Sequence, residues 1–293
     1  MATTIGEPKA AARDYADLHD HLRTLDAAGL LQKIDAPINR DTELMPLVRW
    51  QFRGGIPEAG RKAFLFTNVV DQLGRRFDIP VVVGAFAATP AIYALGMGVP
   101  VDQIGPVWER AIAHPIPPVE VTDAPCQERV IEGRLLRGEG NGLDALPVPI
   151  STPGFDVAPY LTATGCITRD PETGVQNMGT YRGAIKSSRR IGLKMFVHMG
   201  QGGFAHWNKY RARGQPMPMA IALGGPPAVA YVGPQKLALG VDELAVAGGI
   251  IGKPLNVVKA RTVDLLVPAE AEIVIEGHLD PEYMEPEGPF GES

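Results

Sequence analysis

The chain has 293 residues, 45% of them hydrophobic and 21% charged, the balance of a globular protein rather than a disordered or fibrous one. That length suits one large domain or two of ordinary size and buries roughly three quarters of the unfolded surface, so folding needs neither disulfides nor a structural metal. A net charge of −5 offers no basic footprint for nucleic acid or an anionic membrane, and 34 glycines with 27 prolines favour turns and short strands over a helical bundle.

From Met1 to Asp14 there is no apolar run of the kind a secretory signal requires. Asp17 opens a helical pattern in which Leu18, Leu22 and Leu25 recur at spacings of four and three, with Gly29 placed to end it. Ala63 to Val70 and Pro80 to Phe86, rich in Phe and Val, predict strands. Thr89-Pro90 has the form of an N-cap followed by proline at the first helical position, which predicts a short helix through Leu95. The long uncharged stretch from Ile79 to Val101 is interrupted by Pro80, Pro90 and Pro100, as befits a buried strand and helix but not a membrane span. The stiff run His114-Pro115-Ile116-Pro117-Pro118 predicts a boundary, dividing a small α/β domain (1–116) from a second domain (117–293).

Beyond that boundary the pattern turns β-rich. Val119 to Val121, Leu161 to Thr168, Met219 to Leu223, Asn256 to Ala260 and Glu272 to Glu276 are short strand-like runs separated by Gly, Pro and Asp. Asp170-Pro171-Glu172-Thr173-Gly174 supplies proline for the second turn position and glycine for a positive φ, joining Leu161 to Thr168 and Val175 to Tyr181 as a hairpin. Ser188 to Val197 and Asp242 to Ile250 have mixed or helical periodicity. The expected fold class is therefore α+β, with a β-barrel or sandwich carrying inserted helices after the N-terminal unit. Cys126 and Cys166 have no spacing for zinc and cannot form a disulfide scaffold. They read as small buried side chains in a reducing compartment, which makes the cytoplasm the expected address.

Several segments could carry chemistry. Gln176-Asn177-Met178-Gly179-Thr180-Tyr181-Arg182-Gly183 sets a carboxamide and a guanidinium beside two glycines, where backbone can approach a ligand and N–H groups can hold a phosphate. An ordinary polar strand end would look the same. His198-Met199-Gly200-Gln201-Gly202-Gly203 repeats the recipe as a flexible loop, although a lone histidine is also a common structural residue. Glu243 sits at a helix start, where the dipole favours a carboxylate regardless of function. After Arg261 there is no Lys or Arg while nine acids follow, ending in Glu285-Pro286-Glu287-Gly288-Pro289-Phe290-Gly291-Glu292. A solvated acidic tail is one reading. The other is a rigid turn between two glutamates, one kept ionised and one protonated, which is an acid–base apparatus.

Asn177-Met178-Gly179-Thr180-Tyr181-Arg182, His198-Met199-Gly200, Glu243 within DELAVAGGIIGKP and the closing PEGPFGE, taken in this order, resemble the UbiD family of decarboxylases, as does Ala94-Leu95-Gly96-Met97-Gly98 in the first unit. The resemblance spans nearly the whole chain. It implies a small N-terminal α/β domain and an FMN-binding split β-barrel. It also implies prenylated FMN (prFMN), made by a flavin prenyltransferase, and reversible decarboxylation of aromatic, heteroaromatic or α,β-unsaturated carboxylic acids through a covalent adduct on that flavin. By matching motif positions, Asn177, His198 and Glu243 would hold Mn²⁺ or Mg²⁺ at the flavin phosphate, with a K⁺ site nearby. Thr180, Tyr181, Arg182, Lys194, Met195, Phe196, Met199, Gly200 and Lys236 would contact the cofactor. Glu292 matches the proton donor, and Glu287 with Arg182 completes a Glu–Arg–Glu network.

Such enzymes form dimers or hexamers through a further C-terminal domain that follows the proton donor, and that domain is expected to be absent from this sequence, which places in question whether the 293 residues act alone. An ordinary FMN-binding oxidoreductase on the same barrel, or an inactive or binding subunit of a decarboxylase, are the competing classes. The terminal pair of glutamates around an arginine distinguishes the first of these, since flavin redox chemistry has no need of it.

Overall fold

A computed structural model describes residues 15–138, 140–195, 200–238 and 240–291, so the readings on Phe196, His198, Met199 and Glu292 lie outside the described residues. Helix α1 (Leu18–Ala27) starts on a reciprocal cap. The Asp17 side chain accepts from the Asp20 amide (2.8 Å), and the Asp20 carboxylate accepts from the Asp17 amide (3.1 Å). Strands β1 (Leu31–Ile34) and β2 (Ile38–Asn39), helix α2 (Leu44–Arg53), and strands β3 (Ala63–Phe66), β4 (Val69–Val70), β5 (Arg76–Phe77) and β6 (Val81–Val83) follow. They pair as two sheets, β1-β3-β6 and β2-β4-β5. The single strand expected from Ala63 to Val70 is thus two short ones. The break falls at Thr67-Asn68, where the Thr67 amide donates to Ile34 and the Asn68 carbonyl accepts from Ile38 (3.1 and 3.0 Å). Helix α3 (Pro90–Met97) has the predicted Thr89 cap, which accepts from the Ile92 amide (3.2 Å), and it ends on left-handed Gly98.

Helix α4 (Ile104–Ala113) leads into β7 (Val119–Glu120) and a long run of turns. After it come β8 (Tyr160–Leu161), β9 (Thr164–Arg169), β10 (Gln176–Gly179), β11 (Gly183–Ser187), β12 (Arg190–Leu193), α5 (Gly202–Ala212), β13 (Met217–Leu223), α6 (Pro227–Val232), α7 (Glu243–Ile251), β14 (Asn256–Lys259), β15 (Leu266–Pro268) and β16 (Ile273–Leu279). The β9–β10 hairpin has its Asp170 amide bonded to the Val175 carbonyl (2.9 Å) and sets Asn177 opposite Thr168. Within Ser188 to Val197, Ile191 and Leu193 alternate with Arg190 and Gly192, a period of two that makes this piece strand β12 rather than helix. The sheets run β10-β9-β13-β16, β12-β11-β8 and β15-β14-β7, and among the described residues they do not close into a barrel.

The separation has a local cause. After β10 the Thr180 amide donates to the carbonyl of Gly233 at the end of α6 (3.0 Å), pulling the chain out of the first sheet before β11 begins in the second. The largest core cluster runs across the His114–Pro118 segment. It joins Met97, Val107 and Ala111 from α3 and α4 to Val232, Val246, Ala247 and Ile250 from α6 and α7. Each such fully buried Val or Leu contributes roughly 1.5–3 kcal/mol. Helices α4 and α7 meet at glycine: a Cβ on Gly249 would come within 2.9 Å of Ala111 Cα, and one on Gly248 would overlap the Ile116 carbonyl. Cys166 is buried and Cys126 half-buried, both as free thiols. Among the described residues no helix is long and apolar enough to cross a membrane.

Candidate functional site

The three residues that cross between the sheets, Thr180, Tyr181 and Arg182, are the centre of the site. Tyr181 is fixed through Thr164, whose hydroxyl accepts from the Tyr181 amide (3.1 Å) and donates to the Tyr181 carbonyl (2.7 Å). Its own hydroxyl accepts from the Gly203 amide at the start of α5 (3.0 Å), and burial pushes the phenol pKa up. One wall of the crossover opens onto a cavity of about 130 Å³ lined by Asn177, Thr180, Tyr181, Gly200, Lys236 and Glu243. Six residues from four separate stretches of sequence thus share one small space.

Glu243 reaches it because Asp242 caps α7, accepting from the Leu244 amide (2.9 Å) and leaving Glu243 in the first turn. Only 6% of Glu243 is exposed. Burial outweighs the hydrogen bond that its Oε2 accepts from the Met178 amide (2.8 Å) and pushes its pKa up to about 7. The Asn177 carboxamide nitrogen is buried with no hydrogen-bond partner; exchanging its N and O would present an oxygen at the same place. Glycines leave the space open. A Cβ on Gly202 would overlap the Asn177 carboxamide, and one on Gly233 would lie 2.7 Å from Thr180 Oγ1.

A divalent cation fits this donor set: a buried carboxylate that forms no ion pair among the described residues, and a carboxamide with an unmet polar end. Among the described residues no cluster of three or more His, Cys, Asp or Glu occurs, and the expected third ligand, His198, lies outside them.

The crossover's other end carries Arg182, which grips Glu287 in a two-pronged ion pair, Nε to Oε1 at 2.8 Å and Nη2 to Oε2 at 3.0 Å. The two side chains keep 19% and 10% of their surface exposed. Glu287 lies in a stretch without regular secondary structure. Its carbonyl accepts from the Tyr160 hydroxyl (2.6 Å), and the Pro286 carbonyl accepts from Lys186 Nζ (3.1 Å). Three residues on, Phe290 packs between the Tyr160 ring (4.4 Å) and the Arg182 guanidinium (4.7 Å). The turn therefore seals one face of the arginine while its carboxylate takes the other polar edge.

Glu287 also lines a larger cavity of about 480 Å³ between β12, α5, β13 and β16, with apolar walls that include Leu193, Phe204, Trp207, Ile221 and Ile275. Met195 lines this larger space and not the smaller one. Lys194 lines neither; its amide donates to the Arg182 carbonyl (3.0 Å). Sequence reasoning named none of Tyr160, Thr164 or Lys186. They hold site residues through backbone groups, and no local motif marks such a role.

With this geometry established, similarity to known proteins assigns the class. Residues 22–112 match the family model of the 3-octaprenyl-4-hydroxybenzoate carboxy-lyase N-terminal domain, and residues 118–293 match that of its Rift-related domain; the chain belongs to the UbiD family. Among solved structures it is similar to the UbiD-class enzyme HmfF from Pelotomaculum thermopropionicum in complex with FMN. Identity is 32% over 94% of this chain and 58% of that one, with a TM-score of 0.83. An evolved dimeric form of the same enzyme in complex with prFMN aligns at 31% identity, over 94% and 60%, with a TM-score of 0.80. Vanillic acid decarboxylase from Sedimentibacter hydroxybenzoicus, in closed form, aligns at 27% identity over 96% and 58%, with a TM-score of 0.84. The chain spans about three fifths of the length of these proteins.

Proposed function

We propose that this chain is the flavin-holding part of a reversible, non-oxidative decarboxylase acting on aromatic, heteroaromatic or α,β-unsaturated carboxylic acids. The observation that carries the reading is the Arg182–Glu287 pair, a largely buried carboxylate–guanidinium clamp on a rigid turn that leads straight into Glu292. A redox flavoprotein has no use for it. The reading divides the chain into an N-terminal unit over 1–116 and a split-barrel unit over 117–293. The two family models on either side of residues 113–117 support the division, and the split barrel rests on the family membership.

When bound, prenylated FMN supplies the electron sink for the charge left on an sp² carbon by CO₂ loss, which no side chain can absorb. The chain's own tasks are binding, orientation and proton transfer. Asn177, His198 and Glu243 would hold Mn²⁺ or Mg²⁺, which would offset the charge of the cofactor's phosphate, with K⁺ as a second cation, and the glycines at 200, 202 and 233 would let backbone approach the cofactor. Thr180, Tyr181, Arg182, Lys194, Met195, Phe196, Met199, Gly200 and Lys236 would contact the flavin; of these Thr180, Tyr181, Gly200 and Lys236 line the smaller cavity and Met195 the larger. Arg182 keeps Glu287 in place as its carboxylate partner. Glu292 gives its proton to the carbon from which CO₂ has departed and regains one from solvent, so that carboxylate and one proton balance as CO₂ and the product in which hydrogen replaces the carboxylate. A flavin prenyltransferase supplies the cofactor, the protein is a homo-oligomer, and the cytoplasm is its location.

The test is CO₂ release from a panel of aryl and acrylic acids by the protein, loaded with prenylated FMN in one arm and FMN in the other. Release is expected in the first arm alone, and Glu292→Gln abolishes it. Equal turnover by Glu292→Gln would overturn the proton-donor assignment. Flavin reduction by a nicotinamide without CO₂ release would establish the oxidoreductase instead.

A further inference from the structure

We propose that Asp156 and Thr152, braced by Arg49, are positioning residues: they clamp the terminal turn and so set where Glu287 meets Arg182. What the turn does catalytically rests on the reading above; that it is clamped rests on geometry. Residues 280–291 contain no helix or strand, so no backbone ladder fixes them. Glu287 is held by Arg182 and Tyr160 as described above, and the Gly291 end of the segment is held by side chains from one loop.

Asp156 bridges the two segments. Its Oδ1 accepts from the Gly291 amide (2.7 Å) and its Oδ2 accepts from the Thr152 amide (2.7 Å). The Thr152 hydroxyl donates its one proton to the Gly291 carbonyl (3.1 Å), so both polar groups of the Gly291 backbone are taken by this loop. The same hydroxyl accepts from Arg49 Nη2 (3.1 Å), which also donates to the Ser151 carbonyl (2.9 Å). Arg49 comes from α2, so the N-terminal unit reaches the turn through two hydrogen bonds. The fit is tight: a Cβ on Gly291 would overlap Thr152. Gly291 immediately precedes Glu292 in sequence, and Glu287 is four residues back.

Misplacement of a reacting group by about 1 Å costs about 100-fold in rate, so a loosened clamp has a kinetic signature. The experiment compares Asp156→Ala, Thr152→Val and Thr152→Ser in the full-length, cofactor-loaded protein. It measures kcat, KM, flavin content and hydrogen exchange over 285–291. Asp156→Ala and Thr152→Val are expected to lower kcat by about 10- to 100-fold with KM and flavin content unchanged, and to speed exchange in that segment. Thr152→Ser, which keeps the hydroxyl, restores both. Arg49→Met, remote from the turn itself, gives the same pattern in weaker form.

Faster exchange with kcat within twofold of the wild type would overturn the proposal, because the clamp would then be structural only. Unchanged exchange would overturn it too, as would a parallel loss of flavin. The parent reading fails separately: if Glu287→Gln turns over normally, the turn has no acid–base role, whereas failure confined to Asp156 and Thr152 leaves that role standing.

Discussion

The two halves of the site are held in different ways. Around the smaller cavity, Asn177 sits on β10 and Glu243 on the first turn of α7, each placed by backbone hydrogen bonds of a regular element. The terminal turn has no such support; Glu287 is placed by Arg182, by the Tyr160 hydroxyl and by Phe290 against the Tyr160 ring. A site built on strands and helices tolerates the loss of one side chain in its surroundings. One built on side-chain contacts to an irregular segment concentrates its precision in a few groups, and it can be loosened without disturbing the fold.

The sharpest way to break the contrast is at the ion pair. Glu287→Gln is expected to lower decarboxylation by about 10²–10⁴-fold while flavin occupancy stays at the wild-type level, read as CO₂ release against flavin absorbance. Glu243→Ala acts on the other half. Flavin and metal retention after gel filtration should fall by about tenfold or more, equivalent to ~1.4 kcal/mol, with the 285–291 segment unaltered in hydrogen exchange. If both variants lose flavin equally, the two halves are one unit and the contrast is wrong.

A gentler comparison uses two glycines. Gly202→Ala forces a methyl into the Asn177 carboxamide, and Gly291→Ala forces one into Thr152. Overpacking of this kind costs about 1–3 kcal/mol, so each should lower the melting temperature modestly. Only the first should weaken flavin binding, and only the second should speed exchange in the turn.

The smallest effect is a pH dependence. The Glu243 carboxyl titrates near 4.5 in an unfolded chain and is raised to about 7 in the folded one, with burial as the main cause. The folded state therefore binds this proton more tightly. The resulting stability is fully present below about 4.5 and is lost as pH rises through about 7. In protein free of flavin and metal, the urea midpoint should fall between about pH 5 and about pH 8, and Glu243→Gln should flatten that slope.

Much of this was legible in the chain, and the reasons are local. The Asp17 and Thr89 caps, the turn from Asp170 to Gly174 and the strand from Met219 to Leu223 are each specified by neighbouring residues, and each forms where the pattern places it. The grouping of Asn177, Thr180, Tyr181 and Glu243 came with the resemblance to the UbiD family, since no spacing rule joins residues so far apart in sequence. What was missed is non-local or short. Four residues of β12 fall below the length at which alternation stands out, and glycines open α5, so the sequence there reads as a loop. The contacts of Gly248 with Ile116 and of Gly249 with Ala111 of α4 depend on neighbours more than a hundred residues away, which makes two glycines in a helix look like a weakness. Asp156 and Tyr160 act on residues 127 to 135 positions distant, where no spacing rule reaches.

That last separation also bears on the order of assembly. Hairpin β9–β10 closes across a handful of residues, whereas the contact between Asp156 and Gly291 closes a loop of 135. Long loops cost more entropy to close and are rewarded only once the intervening chain is in place. The terminal turn is therefore expected to dock after both sheets have formed. In refolding followed by pulsed exchange, the Gly291 amide should gain protection later than Asn177 or Met219; simultaneous protection would refute this. A chain caught before that step would have its sheets and its cavity, but Glu287 would still be searching for its arginine.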